Sequence, residues 1–243
     1  HAAHREVVKF ALVVLGTTDS DAHVERLKKI ALHGEFTGVA LFALMNGTHN
    51  GNVAVFEVAK RVSKWGKLEA LNFLEPTNEE IRQWFLTDGL KNTIRTSHAP
   101  LLCAVKGKLD IELHEASISQ EIFEGASMLV DAFAVNEELT NNYEYAGQVF
   151  MRFMKHAEVH GHTLEHFQTF SNIHAYMSVE EEVWQERYLV NWRPHEREAV
   201  MQSMERLSSN PKWLALANQT LEEEPTNELA QHVLAFYKEK IFV

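Results

Sequence analysis

The sequence contains few of the residues that turns, disulfides and membrane spans require. Its 243 residues include 11 Gly, 5 Pro and one Cys. A β-rich or Rossmann-type chain of this size would need many more turn residues and loop glycines. A single cysteine excludes an internal disulfide and a cysteine-rich zinc site, which favours a reducing compartment, so we expect a cytoplasmic protein. No run of 18 apolar residues is present, and we expect no membrane span.

Acidic residues outnumber basic ones, and the excess is concentrated in the middle of the chain. The formal net charge is −11. Residues 108–182 contain three Lys/Arg and 14 Asp/Glu, whereas residues 1–107 contain 13 and 11. An acidic surface repels the phosphate backbone, which argues against a general nucleic-acid binder. A basic or cationic partner would suit the acidic segment better.

Apolar residues recur every three or four positions along most of the chain, which predicts helices. In residues 117–139 the apolar positions are Ile118, Ile122, Ala126, Leu129 and Phe133. Polar side chains occupy the opposite face, as an amphipathic helix requires. Spacings typical of a capping box predict helix starts at Thr77, Ser117 and Ser178. The sequence therefore predicts an all-α protein, with about eleven or twelve helices of ordinary length.

A weak internal repeat suggests how the first helices pack. Residues 27–45 align with residues 56–74, so that Leu27 meets Phe56 and Phe36 meets Trp65. An offset of 29 residues suits a helix pair, and stacked helix pairs bury stripes that single short helices cannot bury. We expect HEAT-like antiparallel helix pairs, an α-solenoid, over residues 1–107. Residues 108–243 are expected to form a more irregular acidic helical region that continues the same domain.

One segment of the repeat region resembles a known group of proteins. Residues 59–92 read AKRVSKWGKLEALNFLEPTNEEIRQWFLTDGLKN, and residues 31–37 form a second, shorter block. Both blocks are similar to blocks in uncharacterised bacterial helical-repeat proteins, some of which are labelled limonene hydroxylase. The resemblance covers residues 20–105. It implies a HEAT-like α-helical fold and, through the label, a terpene-oxidising activity.

The residues themselves offer no recognisable way to hold a redox cofactor. The sequence contains no G-x-G-x-x-G motif, no P-loop and no G-x-S-x-G elbow. Cys103 lies in an apolar run, which favours a core position over a haem thiolate. His174 lies on an apolar stripe, where a hydrogen-bonded core histidine is favoured over a catalytic base. We expect no cofactor and no catalytic residues.

Four histidines within the acidic segment form the pattern closest to a metal site. They are His156, His160, His162 and His166. Members four positions apart share a helix face, so two such pairs could hold a divalent ion. Gly161 is expected to end a helix between the pairs. We therefore favour solvated histidines around an interhelical turn and predict no metal site.

Two sets of residues in the first 107 suggest binding. The basic residues Lys60, Arg61, Lys64 and Lys67 are predicted to lie on one helix face, which is favoured as a solvated face but could contact phosphate. The second set mixes aromatic, cationic and amide groups, the types in which binding energy concentrates. It consists of Trp65, Arg82, Trp84, Asn92 and Arg95. Core packing is the favoured alternative for Trp65 and Trp84.

The function favoured by the sequence is a non-catalytic α-helical scaffold or binding protein with a protein partner. A stack of helix pairs offers an extended surface, and no reaction centre is recognisable. Two alternatives remain at this stage. One is an enzyme or small-molecule binder with a pocket between helices, as the hydroxylase label implies. The other is nucleic-acid binding through the local basic face.

Overall fold

The computed structural model describes residues 2–94 and 98–241, and this part of the chain is all-helical. It contains sixteen α-helices, a 3₁₀ helix at Asp21–His23 and no strand, which confirms the all-α prediction. The predicted number of helices was too low because some helices span barely one turn, such as Leu109–Glu112. Such short elements leave no periodic stripe to detect. Among the described residues, no helix has the length and apolarity needed to cross a membrane.

The chain divides into two compact units, His1–Gly107 and Lys108–Val243. The helices of the first unit are α1 (Ala2–Leu15), α2 (Val24–Ala31), α3 (Thr37–Gly47), α4 (Gly51–Ala59), α5 (Lys64–Phe73), α6 (Glu79–Thr87) and α7 (Ala99–Gly107). Those of the second unit are α8 (Leu109–Glu112), α9 (Gln120–Ala134), α10 (Glu137–Asn141), α11 (Ala146–His160), α12 (Leu164–Met177), α13 (Glu181–Val190), α14 (Pro194–Ser208), α15 (Lys212–Glu223) and α16 (Glu228–Ile241).

Helix α3 is the centre of the first unit. It packs against α1, α2, α4 and α5. Because α3 is apolar nearly all round, it can be covered on several sides, and Leu41 and Leu44 are fully buried. Gly47 lets α1 approach closely, since a Cβ at this position would collide with the carbonyl oxygen of Leu15.

Basic side chains satisfy the carbonyl ends of two helices in the first unit. Lys106 Nζ donates to the carbonyl oxygens of Leu71, Asn72 and Leu74 at the end of α5, at 3.1, 3.0 and 2.7 Å. Arg82 Nη1 donates to the carbonyl oxygen of Gly107, the last residue of α7, at 2.7 Å. The last carbonyls of a helix lack partners within it and carry its negative dipole end, so cations there are stabilising.

The core of the second unit is built from aromatic rings on α9, α11 and α12. Phe123 and Phe153 stack with ring centroids 5.1 Å apart, and Phe153 also contacts Phe170. Helix α14 closes this core against α11 and α12. The periodic apolar stripes of α9, α11 and α12 therefore face one another.

Arg187 is a buried cation of the second unit, only 3% exposed. Its guanidinium carbon lies 3.6 Å from the ring centroid of Tyr176 and 4.8 Å from that of Trp184. Its Nε donates to Glu137 Oε1 at 2.9 Å, and its Nη1 donates to the Tyr176 carbonyl at 2.8 Å. Arg187 thus joins α10, α12 and α13, with its charge matched by a carboxylate and two ring faces.

The predicted helix starts are wrong by one or two residues. The N-cap residues of α6, α9 and α13 are Asn78, Ser119 and Glu180, in place of Thr77, Ser117 and Ser178. At the first two starts the side chain accepts a backbone hydrogen bond, from Ile81 N at 2.9 Å and from Ile122 N at 3.2 Å. Neighbouring Ser, Thr and Asn residues all make acceptable caps, so sequence spacing alone does not select among them.

Candidate functional site

Trp65, at the start of α5, is a large exposed aromatic side chain of the first unit. It is 67% exposed, so the favoured core interpretation is wrong for this residue. Helix α4 ends at Ala59 and α5 begins at Lys64, which places Trp65 in the first turn after a short connection. The connecting residue Arg61 is also exposed. An exposed indole beside basic residues is a typical feature of a binding surface.

The backbone around Trp65 is held in an uncommon conformation. Lys64 has φ 53° and Asn92 has φ 58°, two of the three left-handed non-glycine residues described. The Lys64 backbone nitrogen donates to the Asn92 carbonyl oxygen at 2.7 Å. This bond ties the start of α5 to the segment after α6. We call the exposed group formed by Arg61, Lys64, Trp65 and Asn92 the Trp65 surface.

The four basic residues predicted to share a helix face do not do so. Lys60 caps the end of α4, and Lys64 is the first residue of α5. Lys67 is only 5% exposed; its Nζ donates to the Asp88 carbonyl oxygen at 2.7 Å and lies 4.9 Å from the ring centroid of Trp84. Burial lowers the pKa of the Lys67 ammonium. The single basic face fails because a break between two helices interrupts it and one of its lysines points inward.

Two other predicted binding residues, Trp84 and Arg82, make contacts inside the first unit. Trp84 is 8% exposed and packs edge-on against Phe56, with ring centroids 5.5 Å apart. Arg82 pairs with Glu79 and supports the end of α7, as described above. Arg95 lies outside the described residues. The structure ties Asn92 to Lys64, the residue before Trp65, and it gives Arg82 and Trp84 contacts within the unit.

Cys103 is fully buried, as predicted for a core cysteine. Burial raises the pKa of its thiol to about 12, although the ammonium groups of Lys67 and Lys106 oppose this shift. Its sulfur lies against Gly89, where a Cβ would approach it to 2.8 Å. Because the thiolate is the form that attacks and ligates, this cysteine is unsuited to both roles in the folded protein.

His166 caps a helix, a role that the sequence analysis did not assign. Its Nδ1 accepts hydrogen bonds from the backbone nitrogens of His162 and Thr163, both at 3.2 Å, while Thr163 Oγ1 accepts from His166 N. This is a capping box at the start of α12, with histidine in the place usually taken by Glu or Gln. With Nδ1 accepting, Nε2 carries the proton and donates to Glu124 Oε2 at 3.0 Å.

A connected set of polar side chains joins α9 to the turn after α11. Glu124 also accepts from Gln120 Nε2 at 2.7 Å, and Gln120 Oε1 accepts from His160 Nδ1 at 2.9 Å. The rings of His160 and His166 pack on Phe123, with centroids 5.4 and 5.0 Å away. The hydrogen bonds therefore fix both imidazoles against an apolar ring.

His156 is buried and acts as a separate hydrogen-bond donor. Its Nε2 donates to the Leu113 carbonyl oxygen at 3.1 Å. Burial lowers the pKa of both His156 and His166, so both rings are neutral near pH 7. The prediction of solvated histidines is wrong for these two, whereas Gly161 ends α11 as predicted. His174 is half-buried, with its Nδ1 3.5 Å from Ser178 Oγ.

The four histidines do not converge as metal ligands. Within the described residues, the group with three ligand atoms in mutual reach is instead Asp19, Asp21 and His49, all exposed. A hydrogen bond between His49 Nδ1 and Asp21 raises the pKa of the imidazole. The backbone and side-chain hydrogen bonds from His49 lower the pKa of the carboxyl group. The group is therefore explained as an exposed ion pair between His49 and Asp21, with the carboxylate of Asp19 nearby.

A cavity of about 690 Å³ lies in the second unit beside His156. It is bounded by the turn after α8 and by one face each of α11 and α14. Its lining includes Leu113, Met151, Arg152, Lys155, Ala199 and Arg206. No motif in the sequence indicates a role for these residues. A signal was nonetheless present, since Arg152 and Lys155 are two of the three basic residues in the acidic segment 108–182.

Comparisons of the chain with protein-family models, with curated proteins and with solved structures found no match. The geometry of the residues is therefore the basis for a functional assignment.

Proposed function

We propose that the protein is a non-catalytic α-helical binding protein that holds a protein partner at the Trp65 surface. The observation that carries this proposal is the exposed indole of Trp65 on a backbone fixed by the Lys64–Asn92 hydrogen bond. Uncommon backbone conformations in non-glycine residues cost free energy and concentrate where a surface must be preorganised. An aromatic side chain that is rigidly presented loses little conformational entropy on binding.

The partner that fits this surface is a protein segment with an apolar side chain and acidic neighbours. The apolar group would cover the Trp65 ring, and the acidic groups would face the exposed Arg61 and Lys64. Aromatic and arginine side chains supply most of the energy at interface centres. The proposal includes HEAT-like helix pairs in the first unit. The resemblance of residues 59–92 and the repeat offset of 29 residues support this arrangement.

Affinity capture with matched variants tests the proposal. The bait is the intact protein, exposed to lysate of its own source, alongside Trp65→Ala and Leu189→Ala variants. Leu189 is a suitable control because its side chain is also strongly exposed but lies in the second unit. We expect one partner to be captured by the unaltered protein and by Leu189→Ala, and lost with Trp65→Ala. Equal capture by all three baits, or no capture, would contradict the proposal.

Fluorescence of the purified pair gives a direct second measurement. Of the five tryptophans, Trp65 is exposed and the other four are buried. Iodide in solution therefore quenches Trp65 selectively. Partner binding should protect this fluorescence if Trp65 lies at the interface. Unchanged quenching on binding would place the interface elsewhere.

The hydroxylase resemblance provides an alternative function, that of a redox enzyme. A flavin or haem absorption band in protein isolated from its own source would favour it over the binding proposal. The buried, protonated Cys103 is a poor candidate for a haem thiolate. Nucleic-acid binding is the second alternative, and a mobility shift at low salt would favour it because phosphate affinity is greatest there.

A further inference from the structure

We propose that the cavity in the second unit binds a small amphipathic anion, in which a carboxylate or phosphate group is joined to an apolar body. The cavity has a volume of about 690 Å³, within the range of pockets that enclose small organic ligands. This inference concerns the second unit and does not depend on the Trp65 surface.

The charges in the cavity are opposite in sign to those of the surrounding unit. Residues 108–243 contain 10 Lys/Arg and 23 Asp/Glu, yet Arg152, Lys155 and Arg206 all line the cavity. Its carboxylates are Glu115 and Glu158. A positive site in an acidic body repels competing polyanions while still attracting a small anion at short range. We therefore do not expect nucleic acid to bind at this cavity.

Two of these cations have donors available for a ligand. Arg206 is engaged, because its Nε and Nη2 donate to Glu158 Oε1 at 3.1 and 2.7 Å. Arg152 donates one hydrogen bond, from Nη1 to the Asp110 carbonyl oxygen at 2.9 Å. Lys155 donates no hydrogen bond and pairs with no carboxylate among the described residues. Arg152 and Lys155 lie on successive turns of α11, so they can bind one anionic group together.

The remaining wall of the cavity is suited to an apolar body. Leu113, Met151 and Ala199 contribute apolar surface on three different segments. Met is adaptable in shape and fits ligands of varied outline. Ser203, which accepts a hydrogen bond from Arg206 Nη2 at 2.9 Å, helps to hold the cationic side in place. An anionic headgroup at α11 and an apolar tail across the cavity would satisfy both parts of the lining.

Calorimetric titration of the intact protein with four probes tests the inference. The probes are octanoate, octyl phosphate, octanamide and inorganic phosphate, each below its aggregation concentration and at low salt. We expect octanoate or octyl phosphate to bind, and the tighter of the two identifies the headgroup. Octanamide lacks the charge and inorganic phosphate lacks the apolar body, so both should bind at least about tenfold more weakly. Equal binding of either control probe, or no binding at millimolar concentration, would overturn the inference.

Substitutions locate the bound probe. Lys155→Gln should weaken binding about tenfold, since it removes one charge-assisted contact. It should leave the unfolding temperature unchanged, because the ammonium holds no described group. Arg152→Gln should weaken binding similarly. Lys238→Gln removes a positive charge from an exposed position of the same unit outside the cavity and should leave affinity unchanged. If Lys155→Gln and Arg152→Gln also bind normally, the cavity is not the site.

Discussion

The backbone nitrogen of Lys64 donates to the carbonyl oxygen of Asn92 at 2.7 Å, and both residues have left-handed backbone dihedrals. A left-handed conformation costs an ordinary residue such as lysine roughly 1–2 kcal/mol, whereas asparagine tolerates it better. The strain therefore falls mainly on Lys64. It is retained at the point where Trp65 is presented to solvent.

Replacing Lys64 with glycine should stabilise the protein. Glycine adopts positive φ without the Cβ clash, so Lys64→Gly is expected to raise the free energy of unfolding by about 1 kcal/mol, less the entropy lost by a glycine. Urea denaturation with unchanged m-value measures this change. Lys60→Gly is the matched control. Because Lys60 has an ordinary φ of −67°, glycine at this position should lower the free energy of unfolding. Destabilisation by both substitutions would show that Lys64 is not strained.

The ammonium of Lys106 is expected to be a major stabilising charge of the first unit. It donates to three carbonyl oxygens at the end of α5, and its side chain is 15% exposed. Lys106→Met keeps the aliphatic stem but removes the donors, and we expect a loss of about 2 kcal/mol in unfolding free energy. Lys91→Met removes an exposed ion pair with Asp88 and should cost under about 1 kcal/mol. Equal effects of the two substitutions in urea denaturation would refute this role.

The sequence could predict the helical class because apolar stripes depend on local periodicity alone. It could not distinguish Trp65 from Trp84, since both are tryptophans in the same region. Trp84 is covered by Phe56 and by the ammonium of Lys67, which lie on helices other than its own. Lys67 itself appeared to extend a basic run, but its partner is the carbonyl of Asp88.

The candidate sites, too, could be predicted only where the signal lies in neighbouring residues of the sequence. Thr163 and His166 have the spacing of a capping box, so this signal was readable, but histidine is an unusual residue at its third position. The cavity could not be predicted from local pattern, because its lining comes from three segments far apart in sequence, which contribute Leu113, Arg152 and Arg206. Only the rarity of basic residues in the acidic segment pointed toward it.

Cys103 should be unreactive in the folded protein. Its thiol is fully buried, and burial raises its pKa to about 12, so almost no thiolate exists at pH 8. We expect an aromatic disulfide reagent to label it at a rate that rises with urea in parallel with unfolding. The unfolded chain in high urea, which should label completely and fast, is the control. Rapid labelling without urea would show that the thiol is accessible in the native state.

Acidification should destabilise the second unit through its buried histidines. Burial holds the pKa of His166 below its ordinary value of 6.5, so below that pH the unfolded chain binds more protons than the folded one. The contribution of His166 to the free energy of unfolding is therefore fully present above about pH 6.5 and is lost as the pH is lowered. His156 acts in the same direction. Burial opposes ionisation of Glu124, but the hydrogen bond from Gln120 and the interaction with His166 outweigh it and lower the pKa of the carboxyl group, so Glu124 stays ionised through this range.

The substitution His166→Gln separates titration from capping. Glutamine is a usual residue at this position of a capping box and can bond both the Thr163 nitrogen and Glu124, but it does not titrate. We expect near-normal stability at pH 7.5 and a smaller loss than in the unaltered protein between pH 7.5 and pH 5, measured by urea denaturation. His162→Gln, at an exposed member of the same cluster, is the control and should keep the full acid dependence. If His166→Gln loses stability on acidification as steeply as the unaltered protein, protonation of His166 is not the cause.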